Sequence, residues 1–178
     1  MSERKLRTQA GAVVAPSDGA AVLARSEETT SFEIALIVAN NAFTQWVGRC
    51  GAAAGLAGLA PFDLLILALV NRRLSDKRAA DICFALKVED SHTVAYSLKK
   101  LGNAGFVKNK RNGKETLFST TEEGKMMCER YQAVRRKFLI EALTLFGGEE
   151  LDIVAVTGIL RALSGMYEQA ARNATTGA

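Results

Sequence analysis

Between residues 76 and 119 the helical spacing of apolar residues is interrupted once and then gives way to two short strands. Ala79, Ala80, Ile82, Cys83 and Leu86 follow a helical repeat, and a short break, Lys87-Val88-Glu89, ends it. Val94, Leu98 and Leu101 resume the repeat at i, i+4 and i+7, until Gly102 and Gly105 close the second helix. Phe106–Lys110 and Glu115–Ser119 then read as two short strands. The segment between them, Arg111-Asn112-Gly113-Lys114, carries the Asn-Gly pair that type I′ hairpin turns favour.

The flanks read as helix. Residues 1–29 are small and polar and are expected to be a flexible tail, with a short helix near Ala20–Arg25. Ser31 is a candidate cap for a helix reaching about Ala54, with Phe32, Ile34, Ala35, Ile37, Val38, Phe43, Trp46 and Val47 as its apolar positions. These cover much of its circumference, so it is expected to be buried on more than one side, for instance by a second subunit. Pro61 opens a helix running to Asn71, closed by Arg72 and Arg73. Ser75 is the expected cap of the helix Asp76–Leu86, and Asp90 or Ser91 that of the helix reaching Leu101. Thr121 starts a helix that continues through Leu145 to a stop at Gly147-Gly148, and a last helix covers Glu149 to about Ala174. The fold class is mainly α with a small β-hairpin. The expected divisions are a tail (1–29), an N-terminal helix (31–60), a central lobe (61–121) and C-terminal helices (122–174).

Several function classes fall away. Cys50, Cys83 and Cys128 form no CxxC pair and are expected to be buried structural thiols in a reducing cytoplasm. A single histidine, His92, excludes metal sites built on several histidines. No metal or cofactor is implied, and no nucleophile–base arrangement of an enzyme is present. Gly51–Gly55 has GxxxG spacing without the Lys-Ser/Thr of a phosphate-binding loop, so it reads as a close helix crossing or a helix end. The least charged stretch, Cys50 to Val70, is 21 residues long, but Pro61 and Asp63 interrupt it. A central Asp costs roughly 2.5–3.5 kcal/mol on insertion into a bilayer, so two soluble helices are expected there. The N-terminal bases precede no continuous apolar run, so no signal peptide is expected.

Charge is concentrated in the central segment. Of 23 Lys and Arg and 19 Asp and Glu in the chain, residues 71–114 hold eleven and four, a net +7 that leaves −3 for the remainder. Helix, tight break, helix and basic hairpin form the order of a winged helix-turn-helix. In such a module the second helix meets base edges and the hairpin approaches phosphate. The candidate DNA-binding residues are therefore Ser91, His92, Thr93, Tyr96, Lys99 and Lys100 on that helix, and Lys108, Lys110, Arg111, Asn112 and Lys114 on the wing. The plainer readings are a solvated helix face and an edge strand protected by lysine. Glu89 and Asp90 sit near the expected groove, and a capping role explains them better than a base contact. His92 is also a candidate pH switch.

Roughly residues 31–173 resemble the MarR family of bacterial winged-helix regulators. Ser91–Leu101 with Gly105-Phe106-Val107 is similar to the family's recognition helix and first wing strand. Lys114–Gly124 is similar to the second wing strand and the Leu-Thr-x-x-Gly start of the next helix. The family's wing-tip Asp-x-Arg stands here as Asn112-Gly113-Lys114, and its Leu-Thr as Thr120-Thr121. Lysine lacks the planar fork of arginine, which leaves Arg111 as the alternative wing-tip group. The resemblance implies a homodimer joined through the N- and C-terminal helices, and two recognition helices on a palindromic duplex site. It also implies a small aromatic effector, for which Phe43, Trp46 and Phe62 are candidate lining residues, although plain core is the simpler reading. The expected function is thus a cytoplasmic, sequence-specific transcriptional regulator. The alternative is a winged-helix module that binds proteins without sequence-specific DNA binding.

Overall fold

The computed structural model describes residues 18–72, 76–146 and 152–177. Its elements are α1 (Asp18–Ala53), α2 (Pro61–Asn71), β1 (Lys77–Arg78), α3 (Ala79–Leu86), α4 (Ser91–Asn103), β2 (Val107–Asn112) and β3 (Glu115–Thr120). They are followed by α5 (Glu122–Arg135), a π-helical segment (Arg136–Ile140), α6 (Glu141–Phe146) and α7 (Ile153–Thr176). The chain divides into two units at Val47 and Gly48.

In the first unit, α1 begins at Asp18 rather than at Ser31, so residues 18–29, expected as tail, are its opening turns. Phe32, Ile34, Ile37, Val38 and Phe43 are exposed on it.

The second unit holds the core. Ile66, Leu67 and Val70 of α2, Ile82 of α3, Val94, Leu98 and Leu101 of α4, Val107 of β2 and Cys128 of α5 form one buried cluster. Each large aliphatic side chain so buried contributes about 1.5–3 kcal/mol. The end of α1 crosses α2 closely, because Gly51 leaves no room for a β-carbon beside Leu64, and Gly55, at φ +91, lies just beyond the helix end.

The sheet has three strands, in the order β1-β3-β2, all antiparallel. The short β1 takes residues expected at the start of a helix, so α3 begins at Ala79 and not at Asp76. The expected cap Ser75, like Arg73 and the stop Gly147-Gly148, lies outside the described residues. The hairpin differs from expectation by one position. Asn112 pairs with Glu115, so the loop is Gly113-Lys114, and of these only Gly113 has positive φ, at +61. Type I′ turns require positive φ at both central residues, whereas Gly at the first position suits type II′. The helix after Thr121 is interrupted by the π-helical segment, and α7 starts at Ile153, capped by Asp152, instead of at Glu149.

Two polar devices fix the lobe. The residue before α2, Ala60, has no side chain to cap the helix, and Asp63 accepts its backbone N–H at 2.9 Å instead. The same carboxylate, only 3% exposed, accepts from the Ser97 hydroxyl at 2.6 Å and from the Lys100 ammonium at 2.7 Å. One buried acid thereby ties the start of α2 to the middle of α4. Burial works to raise the Asp63 carboxyl, but hydrogen bonds from Lys100, Ser97 and the Ala60 amide outweigh it and hold it below the usual carboxylate value. The second device starts α5. The Thr121 hydroxyl donates to the Gly105 carbonyl at 2.6 Å and accepts from the Gly124 N–H at 3.0 Å, while the Thr121 N–H donates to the Phe106 carbonyl at 3.0 Å. A β-carbon at Gly124 would collide with that Phe106 carbonyl, which accounts for the glycine of the Thr-x-x-Gly sequence.

Cys50 and Cys128 are buried as expected, but Cys83 is only half-buried. Burial pushes the Cys50 thiol up, and burial with the nearby Glu129 pushes Cys128 up to about 11.

Two outcomes are expected. Asp63→Asn keeps the side-chain size but removes the charge, and should cost about 2–4 kcal/mol at neutral pH, since one partner of a mostly buried pair is lost. A lowered folded pKa gives stability that is complete above the unfolded value of about 4 and is lost as pH falls through the folded value. Urea unfolding from neutral pH down to about pH 3 should therefore show a shallower acid decline in the variant than in the parent; equal declines would refute the assignment. In the native protein a thiol reagent should label Cys83 first, and Cys50 and Cys128 only on unfolding, as read by peptide mass spectrometry.

Candidate nucleic-acid interface

The helix α4 begins at Asp90, whose side chain caps it. One carboxylate oxygen accepts the His92 N–H at 2.9 Å and the other accepts the Thr93 hydroxyl at 2.9 Å. These bonds hold the Asp90 carboxyl below its ordinary value and turn its charge back into its own helix. Glu89 lines a cleft of about 590 Å³ between the α3–α4 turn and α7, together with Phe84, Lys87, Glu168 and Arg172. In that cleft Lys87 pairs with Glu168 at 3.0 Å.

With Val94, Ser97, Leu98 and Leu101 turned inward, α4 presents Ser91, His92, Thr93, Ala95, Tyr96 and Lys99 to solvent. Tyr96 is 71% exposed. Lys100, expected beside these residues, is not on that face: it reaches back to Asp63 inside the lobe. The helical repeat places Lys100 one turn beyond Tyr96, and no local signal shows that an acid on another helix claims it.

The wing bases are likewise split. Paired residues of the ladder share a face, and successive residues alternate. Asn109 and Arg111 therefore lie on the face of buried Val107, opposite Phe118 and Thr116. Lys108, Lys110 and Asn112 lie on the other face, with Leu117 and Glu115. Lys114 stands in the loop. Lys108 is near Glu122, whose carboxyl is held down chiefly by Lys125 and to a lesser degree by Lys108. Arg78 is neutralised: it binds Asp81 at 2.7 Å and Glu115 at 2.9 Å, joining β1, α3 and the wing, and these partners raise its already high pKa.

Lys99 and Asn109 both line a cleft of about 500 Å³ between α4 and the wing, whose remaining lining includes Ala95, Gly102, Asn103 and Phe118 and no acid. Among the described residues, Lys99, Lys110, Arg111 and Lys114 form no ion pair, whereas Arg78, Lys87 and Lys100 each do. Sequence reasoning missed Asp63, Ser97 and Asn109. Asp63 shows itself only as a polar residue in an otherwise apolar helix, Ser97 only as a polar residue on the apolar side of an amphipathic one, and Asn109 only through the alternation of its strand.

Residues 59–124 match a family model described as "Winged helix DNA-binding domain". Among curated proteins, none matches this sequence. A MarR variant from E. coli, solved with operator DNA, is similar at 16% identity and TM-score 0.59, over 78% of this chain and 95% of that one. FabT from Streptococcus pneumoniae, solved with DNA, is similar at 15% identity and TM-score 0.56, over 82% and 98%. A MarR transcriptional regulator from Methanosarcina mazei Go1 is similar at 16% identity and TM-score 0.59, over 82% and 98%. Residues 59–124 are thus a winged-helix domain, and the chain that carries them is MarR-like in fold.

Proposed function

We propose that this protein is a sequence-specific DNA-binding transcription regulator that works as a cytoplasmic homodimer on a palindromic site. The helix α4 enters the major groove, and the wing meets the minor groove and flanking phosphates. One observation carries the reading: among the described residues, Lys99 of the outer α4 face and Lys110, Arg111 and Lys114 of the wing form no ion pair, whereas Arg78, Lys87 and Lys100 are paired with acids of the fold. Such a set of unpaired cations on one helix face and the adjoining hairpin suits a phosphate backbone. Two relatives in fold were solved on DNA, which supports the same use here. The homodimer is supported by exposed apolar side chains on α1, among them Ile34, Ile37 and Val38, and on α7, among them Val154, Ile159 and Met166. Apolar helix faces of this kind are normally covered by a partner.

Within the wing, Arg111 and Lys114 are the phosphate-contacting cations. Arg111 shares the face of the α4 cleft, Lys114 is at the tip, and Lys108 faces Glu122. Titration of the full chain against duplex DNA at several salt concentrations tests this. Removing a phosphate-bound cation lowers the log–log slope by about one. Arg111→Ala with Lys114→Ala should therefore lower it by about two, and Lys108→Ala by less than half a unit. Binding that shows no salt dependence, or no binding to a randomised duplex library, would favour the protein-interaction module instead. Sedimentation of the same preparation should give twice the chain mass, and Ile37→Glu with Val38→Glu should shift it toward one.

A further inference from the structure

The exposed side chains of α4 are unusual for a helix that reads bases. Its first two turns present Ser91, His92, Thr93, Ala95 and Tyr96, with no Arg, Lys, Asn or Gln among them. Guanine is recognised best by two-pronged Arg or Lys contacts, and adenine by Asn or Gln. Neither group is available before Lys99, two turns in, and Lys99 borders the wing cleft. The Thr93 hydroxyl donates to Asp90, so it can offer a base only its oxygen as an acceptor, and the Asp90 carboxylate is turned toward the His92 N–H and the Thr93 hydroxyl. Glu89 lines the cleft toward α7. Beside the short hydroxyls of Ser91 and Thr93 and the His92 ring, the exposed surface of these turns is the Tyr96 ring and the Ala95 methyl.

Apolar surface in the major groove has one base-specific target, the C5-methyl group of thymine. We infer that Tyr96, with Ala95 beside it, determines specificity by packing on thymine methyl groups, so that the preferred half-site is centred on A·T pairs read from their thymine side. This rests on the proposed function and names what its reading helix selects. Tyr96 is suited to the role because its ring stands out from the lobe: it is among the most exposed large side chains of the described residues. The Asp63 clamp on Ser97 and Lys100 fixes the rotation of the helix, and so fixes the face on which Tyr96 stands.

The full chain would first be used to select duplexes from a randomised library. The selected duplex is then remade with deoxyuridine for thymine in its half-sites, which deletes only the methyl groups. A second version carries 7-deazaguanine for guanine, which deletes the N7 acceptor. Each buried methyl that is lost should weaken binding about three- to fivefold, while 7-deazaguanine should leave affinity within about twofold, because the first two turns of α4 offer no Arg or Lys for a two-pronged guanine contact. Tyr96→Phe should keep the preference for thymine over deoxyuridine, and Tyr96→Ala should abolish it with an unchanged melting temperature. Equal affinity for the thymine and deoxyuridine duplexes would overturn the inference and leave the proposed function standing. So would a loss confined to 7-deazaguanine. Failure to select any duplex would overturn both.

Discussion

The carboxylate of Asp63 sets the geometry on which this lobe depends. Apolar packing is non-directional, so Val94, Leu98 and Leu101 alone would seat α4 against α2 without fixing its rotation closely. The bonds from Ser97 and Lys100, three residues apart on one helix, leave little freedom. They orient α4 so that its opposite face, with His92, Tyr96 and Lys99, is directed outward. Because the acid also caps α2 through the Ala60 amide, α2 cannot shift along its axis without breaking the contact to α4. A buried ion pair is a costly way to gain stability, since desolvation cancels much of the attraction. Its value here lies in the register it imposes on α4, whose outer face is the one the proposed function places on DNA.

The wing is held by the same logic with exposed groups. Arg78 joins Asp81 at the start of α3 to Glu115 at the start of β3, while Thr121 and Gly124 bring α5 against the Phe106 carbonyl at the base of β2. The hairpin is thus anchored at both ends of its return strand. This arrangement also sorts the charge. Four acids, Asp63, Asp81, Glu115 and Glu168, pair with bases that serve the fold, and Lys99, Arg111 and Lys114 are left to the surface. The +7 counted along residues 71–114 is therefore an upper limit on the field that an anionic partner meets, and its useful part is narrower and directional.

What the sequence made legible follows from the range of each interaction. The helices α2, α3 and α4, the hairpin and the caps at Asp90 and Thr121 depend on residues within a few positions of one another, and local spacing shows them. Asp63 was visible only as an obstacle to membrane insertion, because its partners lie 34 and 37 residues away. Lys100 was misplaced for the same reason. The two residues of β1 are too few to alternate, and they pair with a strand about forty positions on. The turn was read one residue early, since Asn112-Gly113 suits either register and the ladder decides between them. A π-helical segment has no residue signature, so Arg136–Ile140 passed as ordinary helix. Of the candidate site, the helix α4 and the hairpin were legible as elements, but which of their side chains are free was not.

Under the proposed function, a reading helix with few Arg, Lys, Asn or Gln prongs in its first turns, beside cations that would bind any sequence, has a consequence for selectivity. Phosphate contacts raise affinity for all duplexes equally, so they add nothing to the ratio between a preferred site and the rest of the genome. Apolar contacts to thymine methyls discriminate weakly at each position. Two half-sites on one duplex double the free-energy difference, which squares the ratio. A helical-turn spacing of about 34–36 Å adds a geometric criterion that a single lobe cannot apply. Tracts of A·T pairs also narrow the minor groove and deepen its negative potential, which favours cations such as Arg111 and Lys114 on a wing. The long apolar α1 and α7 would then matter to specificity as much as to stability: by joining two weakly selective lobes at a set distance, they would convert modest local preferences into recognition of one site.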